Sequence, residues 1–199
     1  MKLWTIQPIS WFDKLQIEGV IYGNAPLANI DENWQPAYNW ITKQMEQKIG
    51  QKPFENSTPI WAWYQYDNAQ KKQPDLRNTG FLAKGTKGVR IEFDKPENDV
   101  LLSDFDLWHY PLNYWCIHDT EKEDNDFDNL LKVEGVNFID REKYTPILKT
   151  KVEKSWDKVF DLNYNQQYSA KKKEEKTIQA TFWSLSLDEV VKVDFFTAR

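Results

Sequence analysis

The chain has 199 residues, with 26 Lys and Arg against 31 Asp and Glu, and the resulting formal charge of −5 argues against a protein that grips nucleic acid by neutralising phosphates. Its one cysteine, Cys116, excludes an intramolecular disulfide and a cysteine-built zinc site within one chain, and points to the cytoplasm. No long apolar run opens the chain and none reaches the roughly eighteen residues of a membrane-spanning helix, so a soluble protein with no membrane partner is expected.

Aromatic residues make up 15% of the chain, ten of them Trp, so an aromatic-rich core is expected. In chain order, residues 3–6 form a short β-favouring run that stops at Pro8. Ser10 is placed to cap a helix over 11–18, with Gly19 free to close it in a left-handed conformation. A short strand at 20–22 follows. Asn33 is the next candidate cap, for a helix in which Trp34, Tyr38, Ile41, Met45 and Ile49 recur at helical spacing until Gly50; Pro36 falls in its first turn, where a missing N–H is tolerated. Large aromatics alternating with a small residue predict a strand over 60–66, and residues 67–87 read as a loop.

Alternating apolar and charged residues at 89–93 predict a strand with one buried face, and 100–102 the next. The stretch 103–116 is expected to hold a short helix, in one piece or two, because Pro111 must start or kink it. The acid-rich 119–128 segment reads as a solvated loop or insertion, 142–160 as a helix, 163–176 as a polar connection, and 178–185 and 190–195 as two closing strands. Strands at both ends, with helices that do not alternate regularly with them, predict one α+β domain over 1–199 with a mixed or antiparallel sheet.

Asp104, Asp106 and His109 follow a predicted strand end, where two carboxylates and an imidazole can trade a proton or approach a metal. The competing assignment makes Ser103 or Asp104 the cap of the next helix, with His109 paired to a nearby acid. Cys116 and His118 share a face only if their segment is extended, and a free cysteine is more commonly a small buried hydrophobe. Gly85-Thr86-Lys87-Gly88 lacks the spacing of a phosphate-binding loop and precedes a strand, so a loop or hairpin connection is favoured. Arg77 and Arg90 offer guanidinium forks for an anion. Trp61 and Trp63 lie on one strand face, Tyr64 and Tyr66 on the other, so one pair is available either as a stacking platform for a base or sugar or as core.

Four segments, Leu3-Trp4-Thr5-Ile6-Gln7, Pro59-Ile60-Trp61-Ala62-Trp63-Tyr64, Gly85-Thr86-Lys87-Gly88-Val89-Arg90-Ile91 and Leu101-Leu102-Ser103-Asp104-Phe105-Asp106-Leu107-Trp108-His109, together resemble a bacterial family that carries only a domain-of-unknown-function label. A second resemblance concerns the frame. The opening strand, glycine-ended helix and short strand, with a closing pair of strands, is similar to ADP-ribosyltransferase-type domains, which split NAD at the nicotinamide bond. That resemblance implies a histidine or arginine on the first strand and a glutamate on a late one. Here those positions fall to Thr5 and to Gln179 or Thr181. Thr5 has no imidazole, and Gln179 can bond a ribose hydroxyl but carries no charge to stabilise a sugar cation. The resemblance therefore implies a nucleotide-binding relative, with NAD the candidate cofactor, whose catalytic groups are lost, moved or replaced and whose ligand contacts include Arg77, Arg90, Trp61 or Trp63. The alternatives are a non-enzymatic module that binds a protein partner, and an enzyme centred on Asp104, Asp106 and His109.

Overall fold

A computed structural model of the chain describes residues 1–23, 31–166 and 171–199. Its elements in order are β1 (Lys2–Pro8), α1 (Ile9–Glu18), β2 (Val20–Tyr22), α2 (Gln35–Lys48), β3 (Ile60–Gln65), β4 (Lys87–Asp94), β5 (Leu101–Asp104), α3 (Phe105–Asn113), α4 (Glu121–Val133), α5 (Pro146–Ser155), β6 (Ile178–Phe182), β7 (Ser184–Ser186) and β8 (Val190–Thr197). Six strands form one sheet in the order β5-β6-β3-β1-β4-β8, every neighbouring pair antiparallel, and β2 pairs with β7 in a small second sheet. The fold is α+β.

Side-chain alternation divides the six-stranded sheet into two working faces. Leu3, Ile60, Val89, Ile91, Phe93 and Phe182 project to one face and pack with Phe12 and Leu15 of α1 and with Ile21 and Leu185 of the small sheet. On the other face Trp61 and Leu101 meet Trp40 and Met45 of α2, Trp108 of α3, Leu131 of α4 and Leu148 of α5. Trp40 lies 5.5 Å from Trp156 and 6.4 Å from Trp108, so indole contacts knit these helices together.

Gly19 ends α1 at φ 75, its N–H bonded to Leu15 O at 2.9 Å, as its position in the sequence suggests. Ser10 does not cap that helix: it starts at Ile9, directly after Pro8, whose fixed φ suits a helix entry. Likewise α2 begins after Trp34, while Asn33 bonds Asp31 instead.

The acidic segment is helical rather than a loop. Thr120 Oγ1 accepts from Glu123 N–H at 3.2 Å, Glu123 returns a carboxylate to Asp119 N–H at 2.8 Å, and three acids occupy the positive end of α4. Phe127 and Leu131, four apart, bury one stripe of it. The single helix expected over 142–160 is broken into a 3-10 turn at Arg141–Lys143, then α5, then a 3-10 segment at Trp156–Phe160, because Pro146 can begin a helix but not continue one. The expected strand 178–185 is divided at Trp183, where the chain leaves the large sheet for the small one and the indole N–H donates to Gly50 O at 2.9 Å. Of the polar connection 163–176, residues 167–170 lie outside the described residues. No helix among the described residues is long and apolar enough to cross a membrane.

Candidate functional site

The central strand β1 pairs with β4 along its whole length, from Lys2–Asp94 to Pro8–Gly88, but meets β3 in register only at Trp4–Trp63. Beyond that pair the two strands separate. A bulge at Tyr64, seen as the register jump from Trp63–Gln179 to Gln65–Ile178, bends β3 at the same point. The resulting opening encloses about 210 Å³ and is lined by Thr5 and Gln7 of β1, Trp61 and Trp63 of β3, Gln179 of β6, and Phe81. Side chains replace the missing ladder bonds: Thr5 Oγ1 donates to Trp61 O at 2.9 Å and accepts from Gln7 Nε2 at 3.0 Å. Two buried polar atoms on this lining, Trp61 Nε1 and Gln179 Oε1, have no hydrogen-bond partner among the described residues. Leaving such atoms unpaired is costly unless something else meets them.

Trp63 and Phe81 also border a larger groove of about 1010 Å³ that runs beneath residues 66–81. Its aromatic wall is continuous: Phe81 lies 5.5 Å from Tyr66, Tyr66 5.1 Å from Trp63, Trp63 5.4 Å from Phe105, and Phe105 4.9 Å from His109. Arg90 stands at the floor, its guanidinium bonded to Asp194 Oδ2 at 2.7 Å and to Pro74 O, with Nε buried and unpartnered. Arg90, followed by Lys192, holds the Asp194 carboxyl below the usual range. Lys71 and Lys72 add positive charge to the lining, Lys72 lying 4.8 Å above the Tyr64 ring; Asp67, 3.5 Å from Lys71, and Asp75 also line the groove and offset part of that charge. The groove therefore presents flat aromatic surface beside cationic donors, which suits a ligand with a base and phosphates.

Thr5, Trp61, Trp63 and Gln179 thus meet in one opening, and Arg90 lies in the adjoining groove. Trp61 divides its contacts, since its ring packs 5.1 Å from Trp108 and 6.3 Å from Tyr38 in the helical core. Arg77 is exposed and clamps Asp75, whose carboxyl is drawn down to about 2 by those bonds. Asp104 is committed to structure: Oδ1 accepts from the N–H groups of Asp106 and Leu107 at the start of α3, and Oδ2 lies 2.8 Å from Lys176 Nζ. Asp106 pairs with Lys171 at 2.7 Å, and His109 Nδ1 lies 3.0 Å from Phe105 O. Among the described residues no three His, Cys, Asp or Glu side chains gather to hold a metal. Gly85 and Gly88 have conformational and packing reasons: Gly85 sits at φ +85, and a Cβ on Gly88 would come within 2.6 Å of Leu82 and 2.7 Å of Phe196.

The sequence reading missed Phe81 and Phe105, which complete the aromatic wall. Phe81 lies in a loop with no periodicity, so no pattern marked it. Cys116 and His118 do face one recess, and burial pushes the Cys116 thiol up. Burial also pulls the His118 imidazole below 6.5, outweighing Asp124, whose Oδ1 is 3.1 Å from His118 Nδ1. The unfolded chain then binds a proton more readily than the folded one just below pH 6.5. Stability from this residue is complete above pH 6.5 and is lost as pH falls through that value. Urea unfolding between pH 7 and 5 should show that decline, and His118→Gln should flatten it; equal slopes in both proteins would refute the assignment.

A family model described as "Domain of unknown function (DUF3841)" matches residues 2–191. No curated protein and no solved structure matches the chain.

Proposed function

Because the chain belongs to the DUF3841 family, whose description names no activity, we propose its function from its own residues: it is a nucleotide-binding domain, with NAD or ADP-ribose the ligand class. The observation that carries this is the opening between β1 and β3, where Trp61 Nε1 and Gln179 Oε1 lack partners beside a groove walled by Trp63, Tyr66 and Phe81 and floored by Arg90. A base stacks on the aromatic wall, phosphates approach Lys72 and the one unpartnered nitrogen of Arg90, Nε, and a ribose hydroxyl donates to Gln179 Oε1. The order of β1, α1 and β2, closed by β6 to β8, supports a likeness in frame to ADP-ribosyltransferase-type domains.

Ordinary transferase chemistry is not part of the proposal. Thr5 spends its hydroxyl on Trp61 O and Gln7, and Gln179 is a neutral amide with no charge to set against a sugar cation. The domain holds its nucleotide rather than cleaving it.

Thermal melts with NAD, ADP-ribose and ATP test this. A ligand at 100 times its Kd adds about 2.7 kcal/mol, a Tm rise of roughly 5–11 °C for a chain this size. Gln179→Ala is expected to weaken binding by about two- to twelvefold, the value of one hydrogen bond, with little change in the ligand-free melt. Melts unmoved by all three ligands would sink the proposal. In that event the protein-interaction reading gains, and the exposed Val133, Ile139 and Ile147 are where a partner search should begin.

A further inference from the structure

The recess against which α4 packs is chemically unlike the nucleotide groove. It encloses about 160 Å³, room for about five water-sized groups, far too small for a nucleotide. Its walls are aromatic and set at steep angles: Tyr110 and Trp115 meet at 78° with centroids 6.0 Å apart, and Tyr114 and Tyr144 at 62° and 6.3 Å. Phe138 lies 6.3 Å from Trp115 and extends that wall. Asp124 and Asp128, four residues apart on α4, share the helix face that lines the recess.

Those carboxylates decide the guest. Both keep contact with solvent, and a neutral apolar guest would take part of their water without compensation, whereas a cation offsets their charge and lies against the negative faces of the rings. A primary ammonium could bond these carboxylates, but it is strongly hydrated and must shed that water to lie against the rings. An alkylated ammonium has little such water to lose and meets the ring faces directly. Nearby positive side chains are already engaged: Lys158 with Asp119 at 2.8 Å and with Ile117 O at 3.0 Å, and Arg141 with Asn33. His118 also lines the recess, its Nδ1 3.1 Å from Asp124 Oδ1, but burial favours its neutral form, which leaves the carboxylate charge in place.

We propose that the recess formed by Tyr110, Tyr114, Trp115, Phe138 and Tyr144 with Asp124 and Asp128 is an aromatic cage for a methylated ammonium group. The group comes from one of two sources, a free choline-like molecule or a trimethylated lysine side chain. The cage is separate from the nucleotide groove, so its fate does not depend on that reading.

Tryptophan fluorescence of the intact protein, titrated with choline chloride, with a trimethyllysine peptide and with its unmethylated counterpart, tests the cage and its source. The neutral isostere 3,3-dimethyl-1-butanol and sodium chloride serve as controls. The methylated cation is expected to bind about tenfold or more tightly than its neutral isostere. Asp128→Asn, at an exposed position, should weaken it about fivefold with an unchanged melt, and Trp115→Leu should abolish both the binding and its fluorescence signature. Preference for choline or for the methylated peptide assigns the source. Equal binding of the alcohol, no binding of either methylated cation, or an Asp128→Asn variant of undiminished affinity would each overturn the proposal.

Discussion

Lys176→Ala is expected to destabilise the protein by about 3–5 kcal/mol, a fall in Tm of roughly 6–20 °C. Lys176 is fully buried, as is its partner Asp104, and their charged atoms are 2.8 Å apart. The ammonium also donates to Tyr164 O at 2.6 Å, while the backbone carbonyl of Lys176 accepts from Gln65 Nε2 at 2.6 Å. Removing the ammonium leaves the Asp104 charge in a dry interior with only the α3 amides to meet it. The cost comes from that stranded charge rather than from the value of the pair. Asp104→Asn placed in a Lys176→Met background should therefore recover a large part of the loss, because the amide oxygen still caps α3 and no net charge remains buried. Guanidinium unfolding of the two variants separates the effects; a loss under about 1 kcal/mol for Lys176→Ala would remove the pair from any central role.

Trp63→Ala is expected to lower affinity for ADP-ribose by about 5- to 150-fold, the equivalent of one stacked base. Trp63 is the residue common to the β3 end of both cavities, and its ring meets those of Tyr66 and Phe105 at steep angles, 5.1 and 5.4 Å away. Because the side chain is half-buried, the variant should lose some stability, so affinity must be measured by calorimetry well below its melt. Trp61→Phe provides the contrast: it removes one N–H donor but keeps a ring against Trp108, and its effect should be smaller. Equal affinity in wild type and Trp63→Ala would move the base away from this wall.

The pattern of β4 was readable because Val89, Ile91 and Phe93 face a core while Arg90 and Glu92 do not, and burial on one face writes itself as alternation. The end of α1 was readable because Gly19 must adopt a positive φ. The α4 helix was hidden by its own charge: a run of acids resembles a solvated loop, although Thr120 followed by Glu123 is a capping signal and Phe127 with Leu131 a stripe. Thr5, Trp61, Trp63 and Gln179 were singled out from the sequence, but their meeting place was not, since it depends on β1 and β3 touching at one residue pair. No local pattern encodes where two strands part. Alternation placed Trp61 and Trp63 on one face and stopped there. Only the position of α3 separates them, with Trp108 covering Trp61 and Phe105 flanking Trp63.

The strand β6 occupies the slot between β3 and β5, where it pairs residue 181 with residue 61 on one side and with residue 101 on the other. A ribosome delivers those flanking strands long before it delivers the strand that joins them. From the end of β5 to the start of β6 the growing chain therefore carries two unsatisfied strand edges, one of them bearing Trp61 and Trp63, and the two are joined only in a late step. Pairings between such distant parts of the chain close slowly, so the half-made protein is the form most exposed to mispairing and most in need of a chaperone.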